Sequence, residues 1–397
     1  MRPFRVVLLA LGVVLLVLAA LWRPLIAPVL TKLPTSLNET VYFTGSYTGY
    51  VNQSTGGALA TPQHVPLSIT RHISAVPAKS TSQVLIVNDA SAVSIGPAKS
   101  TAVAQYAVDR SSELNVPSPD AYAIKPGNVV NRSGTYTLGP PQSPDQGKSY
   151  PLWIDEIGRA VPMTSVPGSV DLDGASVQRW QFSLPTTAMI PAMVTAMGLP
   201  ATMPFAAFEA ELRAKGLNLA AALRSLAPAL TAAQRTSLAS LTSAPIPLRY
   251  FYAAQAQTLV EPATGAIADV ENYVRAYSVR PDLAPLAAGL TLILAAHRTS
   301  PAAATLLAAA KQLTGLQAQP VYTLTFHQTP ASAAAAVHTA AHNATLLGIV
   351  RVWIPVVLGV VGLVLVVLGV ILMRLRRQAK NGGVKAAELT GTRRAVT

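Results

Sequence analysis

Two stretches of the chain are hydrophobic without any period. Residues 6–22 (VVLLALGVVLLVLAALW) and 354–373 (IPVVLGVVGLVLVVLGVILM) contain no charged side chain. Each approaches the roughly 20 residues an α-helix needs to cross about 30 Å of hydrocarbon, so both are predicted transmembrane helices. Between them the pattern changes. Over residues 41–185, runs such as VYFTGSYTGYV, SQVLIV, TAVAQYAV and VQRWQFSL are rich in β-branched and aromatic residues and are punctuated by Gly, Pro, Ser and Asn. Those runs predict strands, and their rough alternation fits an antiparallel sheet with one wet face. GPPQSPDQGKSYP (139–151) is expected to be a long exposed turn.

Residues 186–243 switch to an Ala/Leu-rich helical pattern, divided into short helices by Pro191, Pro200 and Pro204. Thr231 and Gln234 have the spacing of a capping box. Residues 244–350 mix both styles. One strand is expected at 247–260, and a second within EPATGAIADVENYVRAYSV (261–279), after a turn through Pro262 and Gly265. A helix is expected from 283 to about 313, a last strand at 320–328, and an Ala-rich helix at 332–350. No fixed-period repeat is present. The expected fold class is therefore α+β: two terminal transmembrane helices flanking a large β-rich, sandwich-like antiparallel domain with Ala/Leu-rich helical insertions.

Composition agrees with membrane residence, since 51% of the 397 residues are hydrophobic and only 12% are charged. The tail 374–397 carries seven Lys/Arg and one Glu, beginning with Arg374, Arg376, Arg377 and Lys380. The positive-inside rule puts that tail in the cytoplasm. Two spans then place residues 1–5, with Arg2 and Arg5, on the same side, and residues 23–353 in an extracytoplasmic domain. A cleaved signal peptide is the alternative for the first span, but Leu18-Ala19-Ala20 is a poor cleavage site and the apolar run is long. Removing the nine basic and one acidic residues of the two ends from totals of 30 and 17 leaves 21 and 16. The net charge of +13 thus mainly reports anchoring at anionic headgroups, and no basic stripe interleaved with aromatics points to nucleic acid. The absence of cysteine excludes thiol catalysis and Cys-based metal sites, and it favours a bacterial envelope over an animal extracellular setting.

Three groups of residues invite a chemical reading. The first is Asp155 and Glu156 in YPLWIDEIGRAVP (150–162). Adjacent residues on a strand point to opposite faces, so the two carboxylates cannot act as one glycosidase pair. Their structural reading is a strand ending, with Trp153 towards the core and Arg159 near enough to neutralise a carboxylate. The second is His338 and His342, spaced i, i+4 as in a two-histidine metal site, though Thr339 stands where H-E-x-x-H has its glutamate and no third ligand is near. The third is Met189, Met193 and Met197, with Phe205 and Phe208 beyond, a soft apolar face suited to an acyl chain or a partner. Packing of that face on the protein's own sheet is the alternative. No nucleophile frame, P-loop or G-x-G-x-x-G occurs, so no cofactor is expected.

Several segments, in order, resemble the actinobacterial porin PorA family almost end to end. They are RPLIAPVLTKLP (23–34), DRSSELNV (109–116), YPLWIDEIGRAVP, VQRWQF (177–182), VEPATGAI (260–267) and TLTFHQTPASAAAAV leading to WIPVVLGVVG. The stretch 186–243 is longer than the family's usual connection. The resemblance implies a doubly anchored inner-membrane protein with a periplasmic domain, tied to envelope lipid or lipoglycan assembly. A β-barrel pore is not what these helical spans describe. The expectation is a non-enzymatic protein that binds or hands on a lipid, or scaffolds lipid export with membrane-protein partners. A glycan- or lipid-processing enzyme and an oligomeric channel component are the alternatives.

Overall fold

A computed structural model describes residues 2–52, 58–124, 128–214, 219–297, 303–304 and 317–391. The chain forms two compact units: Met1–Leu33 with Ala341–Thr397, and Pro34–Ala340.

The larger unit is built on one continuous antiparallel sheet. Its strands are β1 (Asn38–Val51), β2 (Ala58–Ala75), β3 (Val84–Ile95), β4 (Ala98–Asp109), β5 (Ser149–Ile154), β6 (Arg159–Leu172), β7 (Ala175–Ala188), β8 (Thr202–Met203), β9 (Ile246–Val260), β10 (Ile267–Pro281) and β11 (Gln319–Gln328). The order is β4-β3-β2-β1-β11-β10-β9-β7-β6-β5, with β8 paired to β9. A twisted sheet this wide curls, and here it makes a half-barrel. The first and last strands lie side by side, Phe43 opposite Gln328, so the chain enters and leaves the sheet at neighbouring points.

Side chains alternate cleanly across this sheet. Phe43, Tyr47, Trp180, Phe182, Tyr252, Tyr277 and Phe326 are buried on the concave side. Thr44, Ser46, Gln181, Ser183, Gln255, Gln257 and Thr325, on the convex side, are exposed. Gly45 sits opposite Phe326, and a Cβ at position 45 would run into the Thr325 carbonyl oxygen and the Phe326 Cα. One end of the convex side is covered. Val337, from the helix Pro330–Gly348, packs there with Val177, Leu259 and Ala268.

The expected β region is interrupted over the described residues 110–124 and 128–148, where five prolines withhold ladder hydrogen bonds. This irregular segment spans the gap between the edge strands β4 and β5 through bridges Gln105 to Tyr122, Val108 to Asn115 and Tyr136 to Leu152. The loop 139–151, expected to be exposed, is partly buried: Gly139, Pro140 and Pro144 are inside. It packs on the β9–β10 turn, where Gly265, at φ +71°, approaches the carbonyls of Pro140 and Pro141 too closely to admit a Cβ.

The helices Phe205–Ala214, Leu219–Leu226, Ala232–Ser243 and Ala284–Leu294 share a second core of Phe208, Leu212, Leu226, Leu238, Leu286 and Leu290. The capping box is formed, Thr231 accepting from the Gln234 N–H at 3.2 Å and its own N–H donating to Gln234 at 3.0 Å. The helix expected to reach about residue 313 runs as Ala284–Leu294, and most of 298–316 lies outside the described residues.

In the smaller unit the helix Arg2–Leu21 continues through a π-helical turn at Trp22–Ile26, which contains Pro24, into Ala27–Leu30. The helix Ile354–Gly391 packs against it in the opposite direction. Trp22 donates to the Val350 carbonyl at 2.7 Å, while Leu9 meets Gly369 at the far end. Gly12 and Gly362 face each other so closely that a Cβ on either would lie 2.8 or 2.9 Å from the other's carbonyl oxygen. The segments Val6–Leu30 and Pro330–Leu375 are long and apolar enough to be candidate membrane spans.

Candidate functional site

Polar and charged groups gather on the concave side of the half-barrel, where the alternation would otherwise place only apolar residues. Two linked clusters result. In the first, Arg71 on β2 donates to both carboxylate oxygens of Asp89 on β3, at 2.8 and 2.6 Å, and the Tyr106 hydroxyl on β4 adds a bond of 3.2 Å. Burial alone would raise the Asp89 carboxyl, but the Arg71 guanidinium and these hydrogen bonds outweigh it and hold it below the usual carboxylate range. Arg71 keeps 30% of its side chain accessible although it stands deep among protein groups, as residues lining an internal cleft do.

The same cluster continues through Arg132, from the bridging segment. Its guanidinium lies 4.6 Å from the Tyr106 ring centre and binds Asp155 through Nε and Nη2, both at 2.9 Å. It also donates to the carbonyls of Gln105 and Tyr122 at 3.2 and 3.3 Å. Asp155 is additionally held by the Trp153 indole N–H at 2.7 Å. Arg132 therefore ties β4 to the end of β5, latching one edge of the half-barrel to the other.

The second cluster lies on β1, β11, β10 and β9. Tyr47, Tyr322, Tyr277 and Tyr252, from four adjacent strands, form a ladder with successive ring centres 5.6, 4.5 and 5.0 Å apart. Such contacts add about 0.5–1.5 kcal/mol each beyond burial. Two residues before Tyr277, Arg275 projects onto the same concave face and lies 4.6 Å from the Tyr273 ring centre and 5.7 Å from that of Phe326. Among the described residues its buried Nε has no hydrogen-bond partner, and neither has the hydroxyl of the fully buried Tyr252. Glu156 faces this region and accepts from the Tyr277 hydroxyl at 3.2 Å. Burial pushes its carboxyl above the usual range, which Arg275 only partly offsets. Tyr252, Tyr277 and Tyr322 are likewise raised by burial, so all three remain hydroxyl donors at neutral pH.

The acidic pair thus sits in a 3-10 turn, Asp155–Ile157, closing strand β5. Gly158 ends that turn at φ +61°. The partner expected for Asp155 was Arg159, but Arg159 is exposed at the start of β6 and Arg132, 23 residues upstream, takes its place. The turn changes the geometry from that of an extended pair, and Asp155 and Glu156 enter separate clusters. Met189 and Met193 are buried, with Met197 partly so, against the strand core around Trp180 and Tyr250. Met193 also lines a cleft of about 240 Å³ with Trp153, Val130 and Ile190. Phe208 is buried in the separate helical core, and Phe205 packs on it with ring centres 6.2 Å apart. The methionines thus meet the sheet, whereas Phe205 and Phe208 belong to the helical core. His338 and His342 are exposed, and among the described residues no group of three His, Cys, Asp or Glu is placed to hold a metal.

Sequence reasoning missed Arg132, Arg71 and Arg275. Arg275 had a readable signal: in VENYVRAYSV it shares its strand face with Tyr273 and Tyr277, a charge at an apolar-face position. Arg132 follows no period and had none.

Two apolar terminal helices and a large antiparallel half-barrel define a membrane protein with a β-rich domain. The chain belongs to the Porin PorA family, whose model matches residues 4–371, nearly the whole length. A comparison with curated proteins gives no significant match. The polarity of the sheet is opposite to that of a lipid-embedded barrel. Such a barrel shows lipid an apolar band, whereas the convex face here presents Gln, Ser and Thr.

Proposed function

We propose that this protein is a non-enzymatic component of a bacterial envelope, anchored in the inner membrane by both ends, with its β-domain outside the cytoplasm. There it binds or hands on an amphipathic lipid or lipoglycan precursor, or scaffolds its export together with membrane-protein partners. The observation that carries the reading is the inverted polarity of the half-barrel. A wet convex face suits a domain standing in water, and charged and hydroxyl groups line its interior. A domain held at both ends cannot travel, so it acts on ligands delivered at the membrane. The basic tail, with seven Lys/Arg after residue 373, supports a cytoplasmic C-terminus.

The non-enzymatic reading is supported by the commitments of the two carboxylates. Asp155 is engaged by Arg132 and Trp153, and Glu156 by Tyr277, so neither faces the other across a substrate-sized gap. The test is native mass spectrometry of the full chain purified in mild detergent, beside an unrelated two-span protein prepared identically. A lipid or lipoglycan retained by this chain and absent from the control is expected. Equal lipid content in both would overturn the reading, and ion conductance from assembled oligomers would favour a channel component instead.

A further inference from the structure

We infer that the interior of the half-barrel contains an oxyanion site, centred on Arg275 and Tyr252, that takes a phosphate group. Arg275 is the reason. It projects from the middle of β10 onto the concave face, where Tyr273, Phe326, Tyr252, Tyr277 and Glu156 surround it and Arg71 contributes from β2. Among the described residues no carboxylate stands at ion-pairing distance from it. Arg71, Arg132, Arg179, Arg213 and Arg249, by contrast, each hold one. Two aromatic faces stabilise a guanidinium without satisfying its N–H donors, and the buried Nε has no acceptor.

A second, independent donor points the same way. The Tyr252 hydroxyl is fully buried and also lacks a partner. Tyr252 pairs with Tyr277 across β9 and β10, so it is a diagonal neighbour of Arg275 on one face. Two unmet donors of this kind on adjacent strands call for a shared acceptor. An anionic acceptor suits the guanidinium, since Glu156 is engaged by Tyr277 and makes no ion pair with it among the described residues. A phosphate has oxygens in several directions and can accept from both strands at once, which a flat carboxylate does less well. Arg275, Tyr322 and Glu156 are each only half-buried.

The source of the phosphate, a lipid headgroup or the free ion, is the point at which this inference rests on the lipid-binding reading. The experiment uses the full chain in detergent and in nanodiscs, with thermal unfolding as the readout. One arm adds inorganic phosphate, and the other compares discs of digalactosyl diacylglycerol, which has no phosphate, with the same discs containing phosphatidylinositol. Stabilisation by inorganic phosphate identifies a free-ion site, and stabilisation only by phosphatidylinositol identifies a headgroup site. In either case Tyr252→Phe is expected to weaken the effect about tenfold in apparent affinity, the loss of one charge-assisted hydrogen bond, and Arg275→Met to abolish it.

Tyr252→Phe keeps the test decisive should Arg275→Met fold poorly, because it removes only an unpartnered oxygen. No stabilisation in either arm overturns the site. So does a Tyr252→Phe chain that responds like the wild type. Lipid co-purification that survives in both variants would leave the lipid reading standing while this site falls. A response to inorganic phosphate with no co-purified lipid would do the reverse.

Discussion

Arg132 holds Asp155 by two parallel hydrogen bonds of 2.9 Å while its own side chain is almost wholly buried, with 1% exposed. The pair joins the bridging segment to the end of β5, and the same guanidinium reaches the Gln105 carbonyl on β4. A buried pair adds little net stability when compared with apolar residues, but removing one partner strands the other charge. Asp155→Ala is therefore expected to destabilise the domain by about 3–5 kcal/mol. The double variant Arg132→Met with Asp155→Leu should recover much of that loss. Denaturant unfolding of the wild type and these variants measures this, and an Asp155→Ala cost below about 1 kcal/mol, the range of a surface pair, would exclude a latch.

The two interior carboxylates should give opposite pH signatures. Asp89 is held below its unfolded value, so its contribution is present above the ordinary carboxylate range and is lost as pH falls through that range towards its folded pKa. Glu156 is raised, so the folded state gains stability as pH falls through its folded pKa towards the ordinary glutamate value, and loses it as pH rises again. Glu156→Gln, which keeps an acceptor for Tyr277, should stabilise the protein at neutral pH and flatten the profile above the ordinary glutamate value. Asp89→Asn should destabilise it at neutral pH. Melting temperatures from acid to neutral pH distinguish the two, and a Glu156→Gln chain less stable than wild type at neutral pH would contradict the assignment.

The segment VEPATGAI folds as a carboxylate-capped turn. Glu261 accepts from the Ala263 and Thr264 N–H groups at 3.0 and 2.7 Å and from the Thr264 hydroxyl at 2.7 Å. Gly265 is needed there twice, for its positive φ and for its approach to Pro140 and Pro141. A left-handed non-glycine residue alone costs roughly 1–2 kcal/mol, and the backbone clash adds to it. Gly265→Ala should thus cost more than about 2 kcal/mol and loosen the loop 139–151, which limited proteolysis would report as new cleavage there. An unchanged cleavage pattern and midpoint would remove the turn from its role as the loop's support.

The apolar helices offer a direct geometric test because the chain has no cysteine of its own. A Cβ built on Gly359 would stand 3.8 Å from the Ala19 Cβ, a separation typical of disulfides. Ala19→Cys with Gly359→Cys is expected to oxidise readily in the membrane to an intramolecular crosslink, visible as a shift on non-reducing gels. Adding Gly12→Val should suppress it, since Gly12 meets the backbone at Gly362. No crosslink in the double-cysteine chain would refute this packing.

Much of the organisation was legible along the chain. Uninterrupted apolar runs marked both candidate spans, because a helix crossing lipid cannot hide polar groups anywhere along its length. Strand runs such as VQRWQF and PVYTLTFHQ lie within β7 and β11, and Thr231 caps its helix, because alternation and capping are local. The motifs DRSSELNV and VEPATGAI fold as turns closed by their own acidic residues, Asp109 and Glu261.

Spans, strands, caps and turns could be read from residue order because their causes lie within a few residues. Three-dimensional packing was needed to set ten strands in one curved sheet, and to make Arg132 rather than Arg159 the residue that neutralises Asp155. It also put Arg275 and Tyr252 at diagonal positions on one face of neighbouring strands. Strand order and buried charge pairing depend on which distant groups are brought together once water is excluded. A buried guanidinium is costly without a partner, and for Arg132 that partner stands many residues away in sequence.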